Sequence, residues 1–146
     1  MAEPLTDHEQ QAWRIFIESS WALHTHLEDE LRAATGLSMN DYHVLVVLSE
    51  APGRRLRMGE LAGHLWFSPS RVTYQINSMV KRGLVRKQPC PEDGRGQEAV
   101  LTDEGMTALE KAAPLHLITV RDRFIDRLDP GELDVIARVF DKVRKA

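Results

Sequence analysis

A stretch near the middle of the chain, residues 68–102, carries side chains that suit contact with nucleic acid. Its first part combines hydroxyl, amide and guanidinium groups at helical spacing, and a later loop places an arginine beside a glycine. Hydroxyl groups and the first-turn N–H groups of a helix bind phosphate oxygens, whereas the planar fork of an arginine matches atoms O6 and N7 of guanine. The candidate DNA-contacting residues are Ser68, Ser70, Arg71, Thr73, Tyr74, Gln75, Ser78, Arg82 and Arg95.

These candidates divide by the part of DNA that each can recognise. Ser68 and Ser70 suit phosphate oxygens, and Arg71 suits a bidentate contact with guanine, although contact with phosphate alone remains open. Tyr74 and Gln75 can hydrogen-bond to a base or contact a thymine methyl group. Arg95 follows a glycine in a loop without bulky neighbours, so its side chain can reach into a narrow minor groove.

The net charge of −3 conceals a basic block in the middle of the chain. Residues 53–95 contain nine lysines and arginines against three acidic residues, a balance of +6, so the rest of the chain carries −9. A basic block on an acidic body is typical of a protein that binds a polyanion with one face. Solvated surface charge, the alternative, does not readily concentrate one sign in a contiguous third of a chain.

Two consecutive helices are predicted to position the candidate side chains. Residues 59–67 form the first, and Ser68 caps the second, with Pro69 at its first position, where a missing N–H costs nothing. The second helix ends at Gly83. Its predicted core side is Val72, Ile76, Met79 and Val80, and its predicted outer side is Arg71, Tyr74, Gln75, Ser78 and Arg82. Two short helices of this kind are typical of a helix-turn-helix.

A hairpin is predicted directly after this pair of helices. Residues 84–88 and 98–101 are the two short strand-like runs, and residues 89–97 form the loop that carries Arg95. Leu56, Arg57 and Met58 form at most a further short strand.

Long helices are predicted on both sides of this central part. The first runs from a capping box at Thr6 to about Ala34, and a buried helix follows Ser38. Another starts after Thr102 and runs to about Leu128 through Pro114, which should kink it or remove one hydrogen bond. The last follows Asp129, with Leu133, Ile136, Ala137, Phe140 and Val143 predicted to face inward. The length of the first helix suggests that part of its apolar stripe faces a partner subunit.

A second candidate site is a pocket for a small aromatic molecule. Aromatic and histidine side chains could converge where the first two helices meet, and an aromatic cavity with polar tips suits a phenol or a carboxylate. The alternative is that the tryptophans are core or dimer contacts and the histidines are surface groups. The candidate pocket residues are Trp13, Trp21, His24, Tyr42, His43 and His116.

Other kinds of site find little support. His24 and His26 are two residues apart and point in different directions on a helix, so no metal site is predicted. No cofactor is predicted, and the chain lacks the glycine-rich phosphate loop, GxSxG and HExxH motifs of the corresponding enzymes.

The single cysteine, Cys90, has no obvious activating partner, although oxidation there could shift the hairpin. No apolar run is long enough to span a membrane, no secretory signal is visible, and one cysteine fits a reducing cytoplasm.

The order of elements resembles the multiple-antibiotic-resistance regulator (MarR) family over essentially the whole chain. Asp93-Gly94-Arg95, followed by Val100-Leu101-Thr102 and Gly105, is similar to the family's wing motif. Residues 73–85 are similar to its recognition helix and the exit into the wing. Tyr74 and Gln75 depart from the basic and apolar residues often found there, so the base preference is open.

The resemblance implies a mainly α fold with a small β-wing: a winged helix-turn-helix in one domain, residues 1–146. The DNA-binding region would span about residues 38–102, and the dimerisation helices would span about residues 6–35 and 102–146. It implies a cytoplasmic homodimer that represses transcription from an inverted-repeat operator and, in many members, releases DNA on binding a small aromatic or phenolic effector. Asp93 would pair with Arg95 or a helix arginine. The alternatives are a protein–protein assembly module without DNA binding, which the basic helix argues against, and an oxidation sensor acting through Cys90.

Replacement of the wing arginine tests the DNA-binding interpretation. Arg95→Ala should weaken binding to operator and random DNA alike, because a minor-groove arginine reads groove width and potential more than base identity. The slope of log affinity against log salt should fall by about 1. Titrations across a salt series measure both quantities, and an unchanged affinity and slope would remove Arg95 from the interface.

Overall fold

The computed structural model describes residues 1–92 and 94–146. Helix α1 spans Asp7–Thr35. The predicted capping box starts it, since the Thr6 backbone N–H donates to Glu9 Oε2 over 2.8 Å and the Glu9 N–H donates to Thr6 Oγ1 over 3.3 Å. The predicted start and end of this helix are confirmed to within a residue or two.

The central part of the chain folds as three short helices and a small sheet. Helix α2 spans Met39–Glu50, α3 spans Met58–Leu65 and α4 spans Pro69–Lys81. Strands β1, β2 and β3 span Arg55–Arg57, Val85–Pro89 and Gln97–Leu101. The helix-turn-helix followed by a hairpin is therefore confirmed, with α4 as its second helix.

The sheet has three antiparallel strands in the order β1-β3-β2. Val85 pairs with Leu101 and Pro89 with Gln97 across the hairpin, while Arg55 pairs with Val100 on the other side of β3. The sequence pattern predicted two wing strands and placed the short preceding run one residue too late. Strand β1 joins the sheet because β3 has a second edge whose N–H and C=O groups are free to pair. The sequence pattern of β1 alone does not reveal this pairing.

The core of this part lies between α2, α3, α4 and the sheet. Val80, predicted on the core side of α4, is instead 38% exposed, because it lies beyond the edge of the stripe that packs inward. Gly105 is required by a close approach, since a Cβ atom there would lie 2.1 Å from the Leu84 carbonyl oxygen. The largest fully buried side chains are Leu45, Leu48, Leu61, Ile76, Met79, Val44, Val72 and Val85.

Two further helices complete the chain. Helix α5 spans Asp103–Arg123 and contains Pro114, and α6 spans Pro130–Arg144. The prediction that α5 continues to about Leu128 is wrong, because a separate 3-10 turn, Ile125–Arg127, follows it. Thr102 caps α5 as predicted, accepting from the Gly105 N–H over 2.9 Å.

The predicted inward face of α6 is not buried in the single chain. Leu133 and Ile136 are half-buried, whereas Ala137, Phe140 and Val143 are exposed. An apolar stripe on a helix needs a surface to cover it, and within one chain the packing around α6 covers only part of it.

The chain divides into two compact units, one made of residues 1–30 and 116–146 and the other of residues 31–115. The second unit contains the helix-turn-helix and the sheet. Across the described residues, no helix combines the length and the apolar character needed to cross a membrane.

Candidate nucleic-acid interface

Helix α4 is positioned by a cap at its start and an apolar stripe along one side. Ser68 Oγ accepts from the Arg71 N–H over 3.2 Å, and Pro69 occupies the first turn. Just before the cap, Trp66 turns the chain with a left-handed backbone, φ 57°, which is unusual for a bulky residue. This tight turn sets the angle at which α4 leaves α3.

The side of α4 opposite its buried residues is exposed along its whole length. Val72, Ile76 and Met79 are buried, so helical spacing places Ser70, Tyr74, Asn77 and Lys81 on the opposite side, and all four are exposed. Tyr74 is 80% exposed. We call these four residues the outer stripe. Asn77 and Lys81 were missed from sequence, although their spacing from the buried residues would have found them.

Arg71 lies beside the outer stripe with its side chain oriented by an aromatic ring. Its guanidinium carbon sits 3.8 Å above the centroid of the Phe67 ring, a cation–π contact that limits the rotamers of a long side chain. Nearby, the hydroxyls of Ser68 and Ser70 lie 3.2 Å apart, and the Thr73 hydroxyl donates to the Pro69 carbonyl over 2.9 Å. The first turn of α4 therefore presents a held guanidinium and two adjacent hydroxyl groups.

Two residues predicted on the outside of α4, Gln75 and Arg82, bind Asp41 of α2, and Ser78 binds Arg82. Gln75 and Ser78 are half-buried, and Gln75 Nε2 donates to Asp41 Oδ1 over 2.7 Å. Arg82 makes a bidentate ion pair with Asp41, with both N–O distances 2.7 Å. The prediction that Gln75 and Ser78 lie on the outside of α4 is wrong, because both are half-buried: Gln75 binds Asp41, and Ser78 accepts from Arg82.

The pKa of Asp41 is set by two opposing effects. Burial of the carboxyl group, the largest single influence, would raise its pKa, but hydrogen bonds from Arg82, the Ser38 N–H and Gln75, together with the charge of Arg82, outweigh it. The pKa therefore lies below the ordinary value of 3.8, and the carboxylate is ionised at neutral pH. The same pairing raises the pKa of Arg82.

The wing is held at its base by a second buried acid. Glu98 is only 6% exposed and accepts from Gln88 Nε2 over 2.6 Å, while Arg55 lies 3.7 Å away. Arg95 is exposed in the loop beyond this base. Asp93, which was predicted to pair with Arg95 or a helix arginine, lies outside the described residues.

The residues of the predicted aromatic pocket belong to two different compact units. Trp13, Trp21, His24 and His116 belong to the compact unit formed by residues 1–30 and 116–146, whereas Tyr42 and His43 belong to the other unit. Both tryptophans are more than half exposed, and Tyr42 packs half-buried against the core. Burial lowers the pKa of the His116 imidazole. Their convergence on one ligand stays a prediction.

A different set of residues lines an open cavity of about 680 Å³ within the unit of residues 31–115. It contains none of the six predicted pocket residues. Leu37, Leu84 and Leu115 supply apolar wall, and Thr35, Thr107 and Lys111 supply polar groups. Its remaining lining residues are Ala34, Gly36, Arg82, Asp103, Glu104 and Ala108.

Cys90 follows strand β2 and is buried. The Cys90 side chain is 3% exposed, so it is shielded from solvent oxidants in this conformation. Within residues 1–92 and 94–146, His, Cys, Asp and Glu side chains form no group of three or more that could hold a metal ion.

Comparisons with known proteins agree on one family. A model of the MarR family matches residues 35–96. AbsC, a MarR family transcriptional regulator from Streptomyces coelicolor, is 42% identical and superposes with a TM-score of 0.93, with 99% of this chain and 97% of that chain covered. Sco3205, a MarR family regulator from the same organism solved in complex with DNA, is 39% identical with a TM-score of 0.95, covering 99% and 91%. The HTH-type transcriptional repressor YetL of Bacillus subtilis is 30% identical over 81% of this chain and 72% of its own length.

The chain belongs to the MarR family. The predicted winged helix-turn-helix fold is thereby confirmed, and the protein is a DNA-binding transcriptional regulator. The family and the curated relatives are transcriptional regulators, which are not enzymes, so the prediction that this protein is not an enzyme is confirmed. The alternative of an assembly module without DNA binding is excluded for the same reason.

The Asp41–Arg82 pair should give the stability of the protein a recognisable dependence on pH. The folded-state pKa of Asp41 lies below the unfolded value of 3.8, so its contribution is complete above that pH and is lost as pH falls through the lower folded value. Asp41→Asn should lower the free energy of unfolding at pH 7 by about 2 kcal/mol, and the difference from the wild type should shrink below about pH 4. Urea unfolding followed by circular dichroism measures this. The exposed Asp134→Asn substitution is the control, and a difference that did not change with pH would contradict the assignment.

Proposed function

We propose that this MarR family regulator is a homodimeric repressor that binds an inverted-repeat operator and releases it when a small aromatic molecule binds. The observation that supports DNA reading is the outer stripe of α4, whose four residues are exposed. Beside it lies Arg71, whose guanidinium packs on the Phe67 ring. A polar, basic helix surface of this kind fits the major groove, where each base pair shows a distinct pattern of donors and acceptors.

The homodimer is supported by the apolar surface of the unit formed by residues 1–30 and 116–146. In this unit, α6 contains no buried residue, and Phe16 and Phe140 stack with ring centroids 5.0 Å apart while each remains 37% exposed. Exposed apolar groups in this number usually mark an interface. The large exposed apolar side chains of this unit are Met1, Leu5, Trp13, Ile15, Phe16, Trp21, Leu117, Ile118, Val135, Val139, Phe140 and Val143. A second copy of the chain offers the same surface and can bury it by twofold symmetry.

The operator geometry follows from this symmetry. Two α4 helices related by a twofold axis enter major grooves that face the same side of DNA, so the half-sites should lie about 10 bp apart or a multiple of that. The wing would add Arg95 at the adjacent minor groove, where negative potential is strongest when the groove is narrow. Repression is supported by the relative YetL, which is named a transcriptional repressor.

An effector is supported by the cavity of about 680 Å³ in the unit of residues 31–115. Its volume lies within the range of small-molecule sites, and its leucine wall suits an aromatic ring. Lys111 and Arg82 can bind a carboxylate or a phenol oxygen, and Asp103 and Glu104 can accept from a phenol hydroxyl. Arg82 contributes both to this cavity and to the ion pair that holds α4. A ligand there would therefore lie next to the contact that orients the DNA-reading helix.

Dimerisation and operator symmetry can be tested with one substitution. Val143 on α6 is 61% exposed, so Val143→Glu should leave the single chain folded but place a charge in the proposed interface. We expect a monomer in analytical ultracentrifugation and at least tenfold weaker binding to the operator, because one half-site contact remains. Arg138→Glu, on the polar side of the same helix, is the control and should stay dimeric. A dimeric Val143→Glu protein, or a footprint on a direct repeat, would contradict the proposal.

The effector cavity can be tested by thermal unfolding with benzoate and phenol as probes. A ligand at 100 times its Kd stabilises the folded state by about 2.7 kcal/mol, which corresponds to a rise of several degrees in Tm. Thr107→Trp should fill the cavity and abolish the rise without lowering the Tm of the free protein. If no aromatic acid or phenol in a panel changes either Tm or operator affinity, or if the rise persists in Thr107→Trp, the cavity is not the effector site.

A further inference from the structure

Asp41 lies where the second helix of the chain meets the DNA-reading helix. It is the third residue of α2, and its side chain is 6% exposed. Its own N–H donates to Ser38 Oγ over 2.9 Å, and its Oδ2 accepts from the Ser38 N–H over 3.0 Å. The same carboxylate that closes the capping box of α2 therefore has oxygen lone pairs left to bind another element.

That other element is α4, which the carboxylate holds at two separate points. Oδ1 accepts from Gln75 Nε2 and from Arg82 Nη2, and Oδ2 accepts from Arg82 Nη1, each over 2.7 Å. Gln75 and Arg82 are seven residues apart, about 10 Å along the helix axis and on the same side of it. Two attachments at this separation oppose both rotation of α4 about its axis and sliding along it, which a single contact would not do.

The donors that make these contacts are not available for DNA. Arg82 also donates from Nε to the Ser78 carbonyl over 3.3 Å and from Nη2 to Ser78 Oγ over 3.1 Å. Four of its five N–H donors are therefore engaged within the protein. For the engaged Gln75 N–H or the paired Arg82 N–H groups to bind a base, a hydrogen bond to a buried carboxylate would have to break, and an unsatisfied buried charge is costly.

We propose that Asp41 is a positioning residue for operator reading, which holds Gln75 and Arg82 against α2 so that Tyr74, Asn77 and Lys81 face the bases. This inference rests on the proposed function, because it concerns how the same operator is read. It removes Gln75 and Arg82 from the candidate DNA-contacting residues and adds Asn77 and Lys81. Asn77 lies at the centre of the outer stripe, and its amide can pair with N6 and N7 of adenine.

The two kinds of role predict different patterns of lost specificity. A residue that reads a base affects one base-pair position in each half-site. A residue that orients the whole helix affects every position that the helix contacts. Selection of bound DNA from a random pool, followed by affinities for the operator, for each single-base variant and for random DNA, separates the two patterns.

We expect Asn77→Ala to reduce discrimination about tenfold at one position per half-site and to leave the other positions unchanged. Gln75→Met and Asp41→Asn should lower the ratio of operator to random affinity across all positions contacted by α4. Neither should change the affinity for random DNA more than about twofold, because phosphate contacts dominate that binding. Gln11→Met, on the exposed surface of α1, is the matched control and should change nothing.

Several outcomes would overturn the inference. If Gln75→Met relaxed a single base position, Gln75 would be a base-reading residue, and if Asn77→Ala changed no position, the outer stripe would not be the reading face. If Asp41→Asn failed to fold, Gln75→Met would carry the test, since it leaves the Asp41–Arg82 pair intact. A wild-type protein that selected no sequence would refute the proposed function itself, whereas a base-specific effect of Gln75→Met on a selected operator would refute this inference alone.

Discussion

The carboxylate of Asp41 is withdrawn from water where α2 meets α4, and the arrangement of the DNA-reading helix depends on how that charge is satisfied. An ionised carboxylate in a protein interior is tolerated only when it is paired and hydrogen-bonded. Arg82, Gln75 and the Ser38 N–H meet this need together, all within 3.0 Å. Because two of these donors come from α4, satisfying one buried charge also decides which side of α4 faces solvent.

The rest of the central unit is built to make that orientation rigid. Val72, Ile76 and Met79 anchor the inner side of α4 in the core, and Ser68 fixes its first turn. The sheet is anchored in a comparable way, with Glu98 buried between Gln88 and Arg55 at the base of the wing. A helix and a loop that must match the spacing of DNA grooves gain from such fixed supports, because ordering them before binding reduces the entropy lost in the complex.

Much of the fold was predictable because its signals are local. The caps at Thr6, Ser38, Ser68 and Thr102 each start a helix where the sequence pattern places one. The hairpin after α4 followed from alternation of side chains and from glycine and proline in the loop. The exposure of Gln75 was predicted wrongly because its partner, Asp41, lies more than thirty residues away in sequence. Ser78 accepts from Arg82, which pairs with the same carboxylate. The same limit explains β1, whose pairing with β3 joins residues that are distant along the chain.

The sequence by itself determined the family, the helix-turn-helix with its wing, and the basic surface, since these depend on composition, caps and short-range periodicity. Only the tertiary structure decided which α4 side chains are engaged within the protein. Gln75, Tyr74 and Asn77 are all polar and fall within one turn. Helical spacing places Tyr74 and Asn77 opposite the buried residues, but it does not show which neighbour contacts Gln75. The buried carboxylate of Asp41 binds Gln75, which is half-buried, whereas Tyr74 and Asn77 are exposed. The physical reason is that a buried charge must find donors from whichever element packs against it, and that neighbour is known only once the chain has folded.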